Sequence, residues 1–229
     1  MPSAVLEPPG SIARHHPLGT STGALVERRG DWPGLVAQAQ RTSTFAVELA
    51  ALAADELADL VHFLSCAPPL PFRFISLHAP SKGRRLRETQ LVAMLAEVVR
   101  SVDAIVVHPD TIDDPARYAP LGSALVLENM DARKRDGRTA DELEPYFAAL
   151  PQAGLCFDIA HAASVDDELE AGERLLDRYG ARLRHVHVSS LDGDCHHVAL
   201  TAFDEERFGP LLRRCRDVPW ILEAPLRES

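Results

Sequence analysis

Eight short runs rich in β-branched and aliphatic residues recur along the chain, and longer amphipathic stretches separate most of them. Apolar runs of strand length, bounded by turn residues, mark strands buried on both faces. Their alternation with helical periods points to a parallel sheet built from βα units. The runs predict strands at Leu18–Thr22, Thr44–Leu49, Phe72–His78, Ala104–His108, Ala124–Asn129, Gly154–Asp158, Arg184–Ser189 and Trp220–Glu223. Between them DELADLVHFL, ETQLVAMLAEVVR, ADELEPYFAAL, DDELEAGERLLDRY and DEERFGPLLRRC carry helical periodicity, with Asp or Thr near several starts as N-caps. The expected fold is therefore α/β, a compact (β/α)8 TIM barrel.

The 229 residues suffice for one such domain, spanning 17–229. Residues 1–16 carry Pro, Ser and Gly without a period and predict a flexible N-terminal arm. Six residues follow Glu223, so the barrel is expected to lack a full eighth helix. The arm, or a second copy in a homo-oligomer, would then cover the open flank, which would otherwise show apolar surface to water.

Hydrophobic residues make up 46% of the chain and charged ones 25%, a balance that supports a packed core and excludes disorder throughout. The net charge of -10 argues against binding along extended DNA, whose affinity rests on neutralising phosphates. No apolar run reaches membrane-spanning length, and the start lacks a signal-like apolar segment. Cys66, Cys156, Cys195 and Cys215 show no CxxC spacing, so reduced thiols and a cytoplasmic location are expected.

In such a barrel the C-terminal strand ends and the loops after them build the active site. Here six predicted strands end on a side chain able to bind metal. These are His78 in FISLHAP, His108 in AIVVHPD, Glu128 in ALVLENMD, Asp158 in LCFDIAH with His161 one turn on, His187 in HVHVSS, and Glu223 in ILEAP. After the seventh strand, SSLDGDCHHVAL adds Asp194 and His196, with His197 and Cys195 as alternative ligands. A convergent ring of acids and neutral imidazoles is what a divalent cation compensates. His185 lies deeper on the face of His187 and is expected in the core or behind that ligand; Cys156 is expected to be packed. Glu48, ending the second strand, is a weaker candidate, expected to be exposed.

The ordered set resembles the xylose isomerase-like barrel superfamily, closest to its endonuclease IV (AP endonuclease family 2) branch, over about residues 72–225. That branch holds three zinc ions. The resemblance implies His78, His108, Glu128, Asp158, His161, His187, Asp194, His196 and Glu223 as ligands, with Glu128 bridging two ions. The isomerase and epimerase branch implies one metal held by Glu128, Asp158, His187 and Glu223. The loop APSKGRRLRE after His78 lacks the aromatic and aliphatic wedge of the DNA enzyme, so the resemblance supports the metal chemistry better than a DNA substrate.

Basic residues follow two of the strands that feed this rim. Lys82, Arg84 and Arg85, with Arg133 and Arg135, are the expected contacts to an anionic substrate. The expectation is thus a metal-dependent hydrolase of a phosphoester or similar small anion, with Glu128 and Glu223 as catalytic residues. It would carry one to three divalent ions, zinc before manganese or iron. The alternatives are a sugar or sugar-phosphate isomerase or epimerase and a non-hydrolytic biosynthetic or binding barrel. No membrane partner is expected.

Overall fold

Within residues 16–25, 28–82 and 86–224, which the computed structural model describes, all eight expected strands form. They are β1 (Leu18–Ser21), β2 (Ala46–Ala50), β3 (Phe74–His78), β4 (Ala104–Val107), β5 (Leu125–Glu128), β6 (Gly154–Asp158), β7 (Leu183–Val188) and, after a small hairpin, β10 (Trp220–Leu222). The hairpin strands are β8 (Ser190–Leu191) and β9 (His197–Val198), paired antiparallel. The eight barrel strands close in the order β1-β10-β7-β6-β5-β4-β3-β2, every neighbouring pair parallel. This is the (β/α)8 barrel that the apolar rhythm predicts.

Period-two alternation divides the strands' side chains between two environments. Val47, Leu49, Leu77, Ile105, Leu127, Phe157 and Val186 belong to the large core outside the barrel, together with helix residues such as Leu35, Leu57, Leu95 and Leu143. Inside, a separate apolar cluster holds only Ala104, Val106, Val126 and Cys156, with Phe74 against it. Buried polar residues, among them Glu48, Ser76, His78, Glu128, Asp158, His185 and His187, make up much of the rest of the interior strand positions.

Seven α-helices are described: α1 (Trp32–Thr42), α2 (Ala54–Ser65), α3 (Glu88–Val98), α4 (Ala140–Ala149), α5 (Ile159–Val165), α6 (Glu170–Tyr179) and α7 (Ala202–Arg214). Local chemistry sets their starts. Asp31 caps α1 through a 3.0 Å bond from the Gly34 amide, and Thr201 and Asp204 form a reciprocal capping box on α7. The predicted helix over 166–179 begins only at Glu170, after Leu169 takes a left-handed turn at φ 61. Between β4 and β5 the chain runs in 3-10 turns, Pro109–Thr111 and Pro115–Ala124, where Pro109, Pro115 and Pro120 lack amide donors for an α-helix.

Two expectations concern the ends. Residues 1–15 of the expected arm, and the positions beyond Ala224 where an eighth helix would begin, lie outside the described residues. His16 stacks on Trp220 with ring centroids 3.7 Å apart, and its Nε2 donates to the Val218 carbonyl at 2.8 Å. His16 therefore packs against the β10 face of the barrel. No described helix is long and apolar enough to cross a membrane.

Gly19 sits where β1 passes close to β2, and a Cβ there would lie 2.6 Å from the Ala46 carbonyl oxygen. A backbone oxygen in a paired strand cannot move aside cheaply. Gly19→Ala is expected to destabilise the fold by about 1–3 kcal/mol, measured as a lower urea midpoint. An unchanged midpoint would contradict the tight β1–β2 approach.

Candidate metal centre

Strand direction alone brings the predicted side chains to one rim. His78, Glu128, Asp158 and His187 close their strands or lie one residue from the end, and His108 and Glu223 follow theirs immediately. Glu128 is the hub. Its Oε2 lies 3.2 Å from His78 Nε2 and 3.1 Å from His108 Nε2, and those two nitrogens are 3.1 Å apart. Its Oε1 lies 3.2 Å from His187 Nδ1 and 3.4 Å from His161 Nδ1. One carboxylate thus presents its two oxygens to two different histidine groups.

Three sets of donor atoms each fall within 4.8 Å of one another: His78, His108 and Glu128; Glu128, Asp158, His187 and Glu223; and Asp158, His161 and His197. Glu128 joins the first two and Asp158 joins the last two. A fourth set, Cys156 with His185 and His187, lies inside the barrel. There burial pushes the Cys156 thiol well above its usual range, which keeps it protonated and suits the packing role expected for it.

Polar atoms left without hydrogen bonds point to what the rim accepts. Asp158 Oδ1 caps α5, taking the His161 amide at 2.7 Å, whereas Asp158 Oδ2 is buried with no hydrogen-bond partner among the described residues. Glu223 Oε2 and His108 Nδ1 are in the same condition. The His78 Nδ1–H donates to the Ala79 carbonyl at 2.9 Å, which leaves the Nε2 lone pair facing His108 and Glu128. Orphaned buried carboxylate oxygens beside imidazole lone pairs are unfavourable alone and match the donor preferences of zinc, manganese or iron. The residues present therefore fit divalent cations.

The electrostatics divide the ring. Against the lowering effect of burial, Cys156, Glu223, Glu48 and Glu128 raise His187 well above the usual imidazole range, and the Glu128 hydrogen bond with the charges of Glu48 and Glu128 raises His78, so the acids of the rim favour positive charge at both. Burial, reinforced by Asp158, Glu128 and Glu48, pushes the Glu223 carboxyl well above its usual range against the pull of His187. Burial also raises Glu128, but His187 and His108 outweigh it and hold that carboxyl well below its usual range. Burial lowers both His108 and His197, which favours the neutral imidazole that a metal requires.

Other predicted positions fall differently. His196 is exposed and held by Asp192, whose Oδ1 accepts the His196 amide at 2.9 Å, and Asp194 is exposed at the same hairpin tip. Both residues border the rim cavity, but only His197, on β9, joins a close donor set, with Asp158 and His161. His197 Nδ1 is 2.8 Å from Ser189 Oγ and 3.4 Å from Glu223 Oε2. Of the alternatives at this hairpin, His197 is thus the one that lies beside the other donors, and Asp194 and His196 belong to none of the close donor sets among the described residues.

The basic residues also divide. Arg133 binds Asp131 through Nε at 2.9 Å and donates to the Asp194 and Cys195 carbonyls at 2.7 and 3.2 Å. It braces the hairpin tip while also bordering the rim cavity. Lys134 Nζ is paired with Asp110 at 2.8 Å, Arg135 is exposed, and Arg84 and Arg85 lie outside the described residues. Lys82 is exposed on the wall of a rim cavity of about 800 Å³, which His78, His108, Glu128, His161, His197 and Glu223 also line.

Two further buried residues support the rim from below. Glu48 is fully buried and not at the surface, because β2 is covered on both faces. Its place inside the all-apolar run AVELA was the available signal, since such a run leaves a charged residue only the barrel interior. Asn129, next to Glu128, ties β5 to β6 by accepting the Asp158 amide at 2.8 Å and donating to the Asp158 carbonyl at 2.9 Å. Nothing short of the folded pairing identifies it.

With barrel and rim in place, residues 37–223 match the xylose isomerase-like TIM barrel family, and the chain belongs to it. Among curated proteins none matches the chain in sequence. Among solved structures it is similar to 3-keto-D-glucoside 4-epimerase from E. coli, with TM-score 0.57, 14% identity and 93% of each chain covered. It is similar to D-psicose 3-epimerase from Clostridium cellulolyticum H10, with TM-score 0.56, 13% identity, and 92% of this chain and 86% of that one covered. An AP endonuclease of family 2 from Brucella melitensis is more distant, with TM-score 0.44, 12% identity, and 93% and 94% covered. At these identities the likeness establishes the fold alone.

Proposed function

We propose that this barrel is a metal-dependent hydrolase acting on a small anionic phosphoester at a multinuclear site. The observation that carries this reading is Glu128, whose Oε1 and Oε2 face separate histidine groups as a bridging carboxylate does. His78 and His108 would hold one ion with Glu128. Asp158, His187 and Glu223 would hold a second with it, and His161 and His197 a third with Asp158. Ions bound there would supply positive charge to the phosphoryl group and acidify water.

The chain's own residues perform the remaining tasks. Lys82 would offer its ammonium to an anionic group in the cavity, while Arg133 fixes the hairpin that forms part of its wall. Burial of the ring removes bulk water from the charges it contacts, which strengthens each of them. A space of about 800 Å³ suits a small molecule.

A single-metal sugar isomerase or epimerase is the second reading. It is favoured by the set Glu128, Asp158, His187 and Glu223, which is complete around one ion without the other histidines. The sugar substrates named for the similar epimerases agree with it. Glu128 and Glu223 would then be the two carboxylates available for proton transfer.

Elemental analysis of protein loaded with zinc, manganese or iron separates the two. Two or three tightly held ions per chain, with phosphate released from small phosphoesters, is the expected result. One ion, with deuterium from solvent entering a ketose, would replace the hydrolase by the isomerase. No retained metal would sink both.

A further inference from the structure

Glu48 has no role in the chemistry above, yet both of its oxygens are engaged inside the barrel. It is 0% exposed, and β2 places it directly across from Ser21 of β1 and Ser76 of β3. The Ser21 hydroxyl donates to Oε1 at 3.2 Å and the Ser76 hydroxyl to Oε2 at 3.0 Å. These two bonds from flanking strands fix the carboxylate plane. The remaining close contact crosses the barrel to His187 on β7, whose Nε2 lies 3.0 Å from Oε2. His185, two residues earlier on the same face, stays 3.7 Å away, and neither of its ring nitrogens has a hydrogen-bond partner.

The opposite edge of the His187 ring faces the rim. Nδ1 lies 3.2 Å from Glu128 and 3.3 Å from Glu223. A neutral imidazole carries one proton, and the nitrogen that keeps it cannot bind a metal. We propose that Glu48 is the positioning residue for His187: by accepting the Nε2–H it fixes the tautomer and ring plane that turn the Nδ1 lone pair toward Glu128 and Glu223. The inference rests on the reading of His187 as a ligand and adds the group that orients it. Carboxylates that hold a ligating histidine from behind typically contribute 10–100-fold to metal affinity.

The test uses the full-length protein, with Zn²⁺ as the probe. Long-range ¹H–¹⁵N correlation on histidine-labelled, Zn²⁺-loaded wild type should show His187 protonated at Nε2. Protonation at Nδ1 would overturn the proposal without any variant. Glu48→Leu, which keeps volume and removes the acceptor, is expected to weaken Zn²⁺ binding by about 10–100-fold and to broaden or shift the His187 signals. Glu48→Gln retains one carbonyl oxygen and should recover most of that loss, which a role in filling space or carrying charge would not. Equal Zn²⁺ affinity in wild type and a folded Glu48→Leu protein would overturn it. His187→Ala supplies the separate control: should it leave Zn²⁺ binding intact, the ligand reading fails and the proposal falls with it. Strong loss in His187→Ala beside none in Glu48→Leu would remove the positioning claim alone.

Discussion

Glu128→Gln is expected to lower turnover of whichever substrate the metal-loaded protein accepts by about a thousandfold, or roughly 4 kcal/mol of transition-state stabilisation. It should also reduce the number of tightly bound ions per chain. The amide has nearly the shape of the carboxylate, so the barrel should stay folded. Yet the amide offers one oxygen where Glu128 offers two, and it brings no charge to His78, His108, His161 and His187. Loss of metal and of turnover together, with the near-UV circular dichroism retained, is the anticipated pattern. Full metal content and full turnover in the variant would remove Glu128 from the centre of the site.

The largest effect on stability is expected at Trp220. The residue is 2% exposed, donates from Nε1 to the Cys215 carbonyl at 3.0 Å and stacks on His16. Its amide also donates to the Pro17 carbonyl at 3.1 Å, so it sits at the closure of the sheet. Trp220→Ala would leave a cavity beside β10, between His16 and Cys215, and is expected to cost about 3–5 kcal/mol. For a protein of this size that corresponds to roughly 6–20 °C in Tm, readable by calorimetry. A change below 1 kcal/mol would mean that His16 and the neighbouring core refill the space.

The barrel was legible because parallel strands buried on both faces read as apolar runs, and an ionisable residue at the end of such a run is conspicuous. His78, His108, Glu128, Asp158, His187 and Glu223 all follow that rule, and the structure gathers them on one rim. Legibility ended where placement depends on partners distant in sequence. His196 and His197 are adjacent, and only the folded hairpin, which pairs Leu191 with His197, brings His197 beside Asp158 and His161. The contacts of Arg133 with Asp131 and the hairpin carbonyls, the latter 61 and 62 residues away, have no signal in the sequence. Glu48 was underrated because its serine partners lie 27 and 28 residues away on separate strands. The 3-10 passage between β4 and β5 follows from prolines visible in the sequence, but its contacts do not.

The separation of the two cores bears on how such a molecule can diverge. Cohesion lies in the apolar wall between strands and helices, while the interior contributes only a small apolar cluster. Inward-facing positions can therefore be rewritten with little loss of the scaffold, provided that each new polar group finds a partner. A lineage built this way can change its chemistry one interior residue at a time and still inherit the same barrel. That division gives a physical basis for finding one architecture, over 92–93% of this chain, in epimerases only 13–14% identical to it.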